Sequence, residues 1–153
     1  MKKLTFHTQL REARGQSLVE LAISLTVILM LLSGAVDFGM AFFSYTALRD
    51  AAQEGAVYGS FSPGDQPGII KRVQKTSTSP VNLSDTTKIH ITSSLTNGPT
   101  AGCEGSTGGK QNGIQVSVKY DYPIIMPFLG IILGGQTIPL TATVTDTILA
   151  PMC

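Results

Sequence analysis

The feature that most constrains this chain is the predominantly apolar run over residues 21–43, which follows a short basic leader. Between residues 21 and 48 the only charge is Asp37. About 20 apolar residues suffice for a helix to cross a bilayer, so the run predicts one membrane span. The leader contains Lys2, Lys3, Arg11 and Arg14 against Glu12 alone, so the first 15 residues carry +3 and the remainder −2 of the net +1. Lys and Arg resist translocation, which predicts the N-terminus inside and the C-terminal part exported. A chain of 153 residues then has room for that span and one small domain. The exported part is not basic enough for nucleic-acid binding.

Residues 17–58 read as a single long helix. They contain no proline and are rich in Leu, Ala and Met. At 1.5 Å per residue this is about 60 Å, twice the hydrocarbon thickness. Charges return only in its last part, at Arg49, Asp50 and Glu54. There Ala51, Gly55 and Gly59 recur at every fourth position and allow close approach of another element. The stripe suits packing on the protein's own domain or on a second copy.

The segment Ser62-Pro63-Gly64-Asp65-Gln66-Pro67-Gly68 ends the helix. Ile69, Ile70 and Val73 among Lys71, Arg72 and Lys75 predict a short amphipathic helix, ended over residues 76–80. Period-two alternation predicts antiparallel strands over residues 88–92, 114–122 and 136–148. The fold class expected is therefore α+β, with about three strands. The domains expected are a leader over 1–15, a long helix over 16–60 and an exported domain over 61–153. Residues 97–113 hold seven glycines and prolines and no apolar run, which predicts a mobile loop. The apolar segment 123–135 is too short and broken to span a membrane. It suits covering the sheet or meeting a leaflet or a partner.

Cys103 and Cys153 both fall in the part assigned to the oxidising side, and an even count there favours a Cys103–Cys153 disulfide. The chemistry of an enzyme is missing from the pattern. His7 lies in the leader and His90 in a strand, so no His pair or metal cluster is expected. Gly105-Ser106-Thr107-Gly108-Gly109-Lys110 mimics a phosphate loop, but Glu104 precedes it and Gln111 follows where Ser or Thr is required. No catalytic residue, cofactor, metal or small-molecule substrate is expected.

At the mouth of the span stands Arg14-Gly15-Gln16-Ser17-Leu18-Val19-Glu20. An acidic side chain at mid-helix in hydrocarbon costs roughly 2.5–3.5 kcal/mol, so Glu20 there is a functional candidate. The motif resembles the processing site of the type IV prepilin superfamily, where a prepilin peptidase cuts after the glycine. The resemblance implies cleavage between Gly15 and Gln16, leaving Glu20 as the fifth residue of the mature chain. Glycine lets an extended peptide lie close to a protease backbone. Glu20, about one turn from the new α-amino group, is placed to offset that cation on itself or on a neighbouring subunit. The plainer role for Glu20 is as an interfacial carboxylate at a helix N-terminus, favoured by about 0.3–1 kcal/mol.

Together with Asp37-Phe38-Gly39 and Leu48-Arg49-Asp50-Ala51-Ala52-Gln53-Glu54-Gly55-Ala56, the motif is similar to the TadE-like family of the tight-adherence (Flp) pilus assembly system. The late strands around Tyr122-Pro123 resemble that family's C-terminal region. Leu21 stands where Flp major pilins carry Tyr, and Gln16 where other type IV pilins carry Phe. The resemblance implies a minor pilin-like protein, or pseudopilin, in the bacterial cytoplasmic membrane. Its partners would be the prepilin peptidase, other pilins and pseudopilins, and the assembly machinery. The rival is an extracytoplasmic binding domain, either released by a signal peptidase after Ser33-Gly34-Ala35 or held by an uncleaved anchor.

Overall fold

The computed structural model describes residues 9–96, 113–126, 130 and 134–149, without the side chains of residues 9–14. Its elements are α1 (Gln9–Phe61), α2 (Gln66–Thr76), β1 (Ile89–Leu95), β2 (Gly113–Pro123) and β3 (Thr137–Thr147). The protein is α+β, with a long apolar N-terminal helix, a short helix and a three-stranded antiparallel sheet. The chain divides into two compact units, residues 1–38 and 39–153.

In the first unit α1 begins eight residues earlier than the apolar pattern suggests. The stretch Leu10-Arg11-Glu12-Ala13-Arg14 consists of good helix formers, so nothing local stops the helix at Ser17. Its apolar side chains stay exposed: Leu31 is 71% and Phe38 75% exposed. Two hydroxyls within the apolar run are satisfied internally. Ser24 Oγ donates to the Glu20 carbonyl and Thr26 Oγ1 to the Ala22 carbonyl, each at 2.8 Å. Such i−4 bonding is what a hydroxyl needs where water is absent.

In the second unit the helices cover one face of the sheet. The last turns of α1 bury Leu48, Ala51, Ala52 and Ala56, and α2 adds Ile69 and Val73. α1 ends before Ser62-Pro63, where the Ser62 amide still donates to the Tyr58 carbonyl at 3.1 Å. α2 starts at an Asp65 cap with Pro67 in its first turn, where a missing N–H costs nothing.

The sheet runs β1-β2-β3, with Ile91 opposite Val118, and Val116 opposite Val144. Alternation along β2 sends Ile114, Val116 and Val118 into the core. On the other face Ser117 Oγ and Thr143 Oγ1 lie 3.0 Å apart in a hydroxyl pair. Strand β1 runs on through Ser93, Ser94 and Leu95, beyond the alternation at Ile89 and Ile91. Ladder pairing with Val116, Gln115 and Ile114 carries these residues. Thr96 then closes the ladder: its amide donates to the Gly113 carbonyl, and its hydroxyl accepts from the Gly113 amide, both at 2.9 Å. At the other end the Leu149 amide donates to the Ser60 carbonyl at 2.9 Å, tying the end of the sheet to α1.

Residues 97–112 of the expected loop and the Cys103–Cys153 pair fall outside the described residues, as does most of the apolar segment after Met126, while Gly113 opens β2 instead of ending a loop. Within that segment Met126 is buried and Ile125 exposed.

Candidate functional site

The motif expected to be processed lies within α1, and Gly15 itself is helical and exposed. A Cβ built at Gly15 meets nothing within 4 Å, so the fold gives no packing reason for glycine there. Glycine instead weakens the helix locally, by about 1 kcal/mol relative to Ala. A peptide bond that must leave the helix to enter a protease cleft opens most readily at such a residue. Gln16 and Glu20 are exposed, as are Leu18 and Val19. Glu20 therefore lies on a helix surface where a second chain's charge can reach it.

From residue 15 onward α1 is long and apolar enough to cross a membrane. Asp37, the one charge between residues 21 and 48, is buried, in contrast to the exposed apolar residues around it. Serines follow the same economy: Ser44 is buried and its Oγ donates to the Met40 carbonyl at 2.8 Å.

The small-residue stripe lies in the second unit. Ala51, Gly55 and Gly59 are all buried. A Cβ on Gly55 would stand 2.5 Å from Val73 Cγ2 and 3.3 Å from Val116 Cγ1. One on Gly59 would stand 2.7 Å from Ile114 Cδ1. At Gly55 α1 meets α2 and β2, and at Gly59 it meets β2, so closely that an added Cβ would have to displace the facing side chain. The face is occupied by α2 and β2 of the same chain.

One cluster is not visible from residue types alone. Tyr58 Oη donates to Asp65 Oδ2 at 2.7 Å, and the Gly68 amide donates to Asp65 Oδ1 at 3.0 Å. Arg72 stacks over the Tyr58 ring, 5.5 Å from its centroid, and pairs with Glu54 at 3.4 Å. The hydrogen bond from Tyr58, then that from Gly68, holds the Asp65 carboxyl below its ordinary range. The same bond to Asp65 raises the Tyr58 phenol, with a smaller contribution from desolvation. The available signal was Asp65 two residues before Pro67, a helix-start pattern. Its reach back to α1 had no signal.

Among the described residues no group of three or more His, Cys, Asp or Glu side chains converges as a metal site would require. Two shallow grooves border α2. One, of about 580 Å³, is lined by Glu54, Tyr58, Lys71, Arg72 and Lys75. The other, of about 390 Å³, is lined by Met40, Phe43, Asp50, Thr76, Ser79 and Pro80 among others.

Residues 15–57 match the family model described as TadE-like protein. No curated protein and no solved structure matches the chain. The match begins at Gly15, includes Glu20, and runs through the exposed apolar stretch into the buried Ala51 and Gly55. Over this segment the chain is similar to the TadE-like family.

Proposed function

We propose that the chain is a minor pilin-like protein, a pseudopilin, that serves the assembly of a tight-adherence pilus. The observation that carries this reading is the coincidence, within residues 15–57, of the TadE-like match with an exposed apolar helix headed by Gly15 and Glu20. In this account a prepilin peptidase cuts between Gly15 and Gln16. The helix then anchors the chain with its N-terminus at the cytoplasmic face, and the unit built on α2 and the sheet stands outside. The α-amino group created at Gln16 and the Glu20 carboxylate are one helical turn apart, so each lowers the cost of placing the other in a low-dielectric setting. The protein acts by packing and charge pairing and not as an enzyme.

The test is a deletion strain complemented with the full chain. Pili should be lost on deletion and restored by the wild-type gene. Normal piliation without the protein overturns the assembly role. A reporter fused at Gly113 that is active only in the cytoplasm overturns the topology.

A further inference from the structure

Within the second unit the last turns of α1 and the whole of α2 lie side by side and antiparallel, and three contacts fix their register. Glu54 meets Arg72 at 3.4 Å. Tyr58 meets Gly68, where an added Cβ would stand 2.8 Å from Tyr58 Cε1. Asp50 and Thr76 line one groove. Each step of four residues up α1 is thus matched by a step of four down α2. Lys71 and Lys75 come one residue before Arg72 and Thr76, so they stand about 1.5 Å along the helix from the levels of Glu54 and Asp50.

Two charged rows therefore flank the seam between these helices, opposite in sign and equal in spacing. Asp50 and Glu54, four apart on α1, form the acidic row, and Lys71 and Lys75, four apart on α2, form the basic one. All four side chains are exposed. Arg72 is already committed to Glu54 and to the Tyr58 ring. Asp50, Lys71 and Lys75 have no ion-pair or hydrogen-bond partner among the described residues. Val57 and Phe61 continue the acidic row at helical spacing and are 42% and 60% exposed.

An anionic lipid surface would be repelled by Asp50 and Glu54 as it approached the lysines, so the fitting partner carries the inverse pattern of charge. A second copy of this chain carries it. A twofold axis laid along the seam, parallel to both helices, exchanges the two rows and leaves every level unchanged. It sets Lys75 against Asp50 of the second copy and Lys71 against Glu54 of the second copy, and each pair occurs twice. Self-complementarity of this kind is what an isologous interface requires. The same axis keeps the two α1 helices parallel, as two chains inserted in one membrane with one topology must be.

We propose that this face of α1 and α2 is a homodimer interface. The Lys75–Asp50 and Lys71–Glu54 pairs set its register, and Val57 and Phe61 form its apolar end. The shared orientation of the two copies rests on the reading of α1 as a membrane span, whereas the charge pairing stands on the second unit alone.

The test is sedimentation equilibrium of the full chain in density-matched detergent. The wild-type chain should follow a monomer–dimer equilibrium. Lys71→Glu with Lys75→Glu, and separately Asp50→Lys with Glu54→Lys, should each weaken association at least tenfold with unchanged far-UV circular dichroism. All four positions are exposed, so neither double change opens the core. An equimolar mixture of the two reversed chains should recover the wild-type association, because each row then meets its opposite again. A wild-type chain that stays monomeric, a reversed chain that dimerises as wild type does, or a mixture that stays monomeric overturns the interface. A monomeric wild-type chain that binds phosphatidylglycerol vesicles through Lys71 and Lys75 would assign the basic row to lipid instead. Alkaline extraction of the wild-type chain from cell membranes keeps the two readings distinguishable. Release by carbonate refutes the span, whereas a chain retained in the membrane but monomeric in detergent refutes the interface alone.

Discussion

Tyr58 and Asp65 are joined by a 2.7 Å hydrogen bond that links the C-terminal turns of α1 to the cap of α2. Because the same carboxylate caps the Gly68 amide, one ionised group serves two helices. Asp65 has its carboxyl lowered on folding, so its stabilisation is complete above the ordinary aspartate value near 3.9 and lost as pH falls through the lowered folded value. Tyr58 is raised, so its contribution is complete below about 10 and lost as pH rises through the raised folded value. Carboxyl carbon shifts followed by NMR should show Asp65 titrating below the ordinary aspartate range. Tyr58→Phe should return it toward the ordinary range. An Asp65 titration untouched by Tyr58→Phe would contradict the linkage.

Gly55 sets the spacing between α1, α2 and β2. Gly55→Val would drive branched methyls into Val73 and Val116, both fully buried. Over-packing of this kind costs about 1–3 kcal/mol. Urea denaturation of the detergent-solubilised chain, monitored at the sheet, should show the midpoint falling. An unchanged midpoint would mean that the close approach is not maintained in solution.

Leu48 is the largest α1 side chain that is wholly buried. Leu48→Ala should destabilise the second unit by about 2–5 kcal/mol through lost contact and a residual cavity. Protease resistance of residues 66–149 should drop accordingly. A variant as resistant as wild type would remove Leu48 from the core.

Much of this architecture is written in local pattern. The alternation through Ile114, Val116 and Val118 marks β2, because a half-buried strand must repeat every second residue. The apolar spacing of Ile69 and Val73 marks α2 for the matching helical reason. Boundaries were less visible. The helix start depends on whether the leader joins the helix, which depends on propensity rather than apolar content. The extension of β1 through Ser93 and Ser94 depends on pairing with β2, a contact supplied from more than 20 residues away in sequence. For the same reason the Tyr58–Asp65 bond and the groove beside Asp50 were not legible. Each is formed by residues brought together only when α2 folds back on α1.

Glu20 separates a functional carboxylate from an interfacial one. Glu20→Gln leaves Gly15 and the apolar run untouched, so insertion and processing should proceed as in wild type. Piliation should fail, because Gln keeps the size and loses the charge. A helix-dipole role alone amounts to about 0.3–1 kcal/mol, too little to stop assembly. Normal pili in a strain carrying only the Glu20→Gln chain would remove the pairing role.

The intact mass of the membrane-extracted chain, from cells containing the cognate peptidase, tests the central claim most directly. The account predicts a chain beginning at Gln16, and a Gly15→Val variant that keeps its leader. Since a Cβ at Gly15 meets nothing in the folded chain, retention of the leader would report on the protease and not on misfolding. A wild-type chain beginning at Met1 or Val36, or a Gly15→Val variant with the wild-type mature mass, would contradict it.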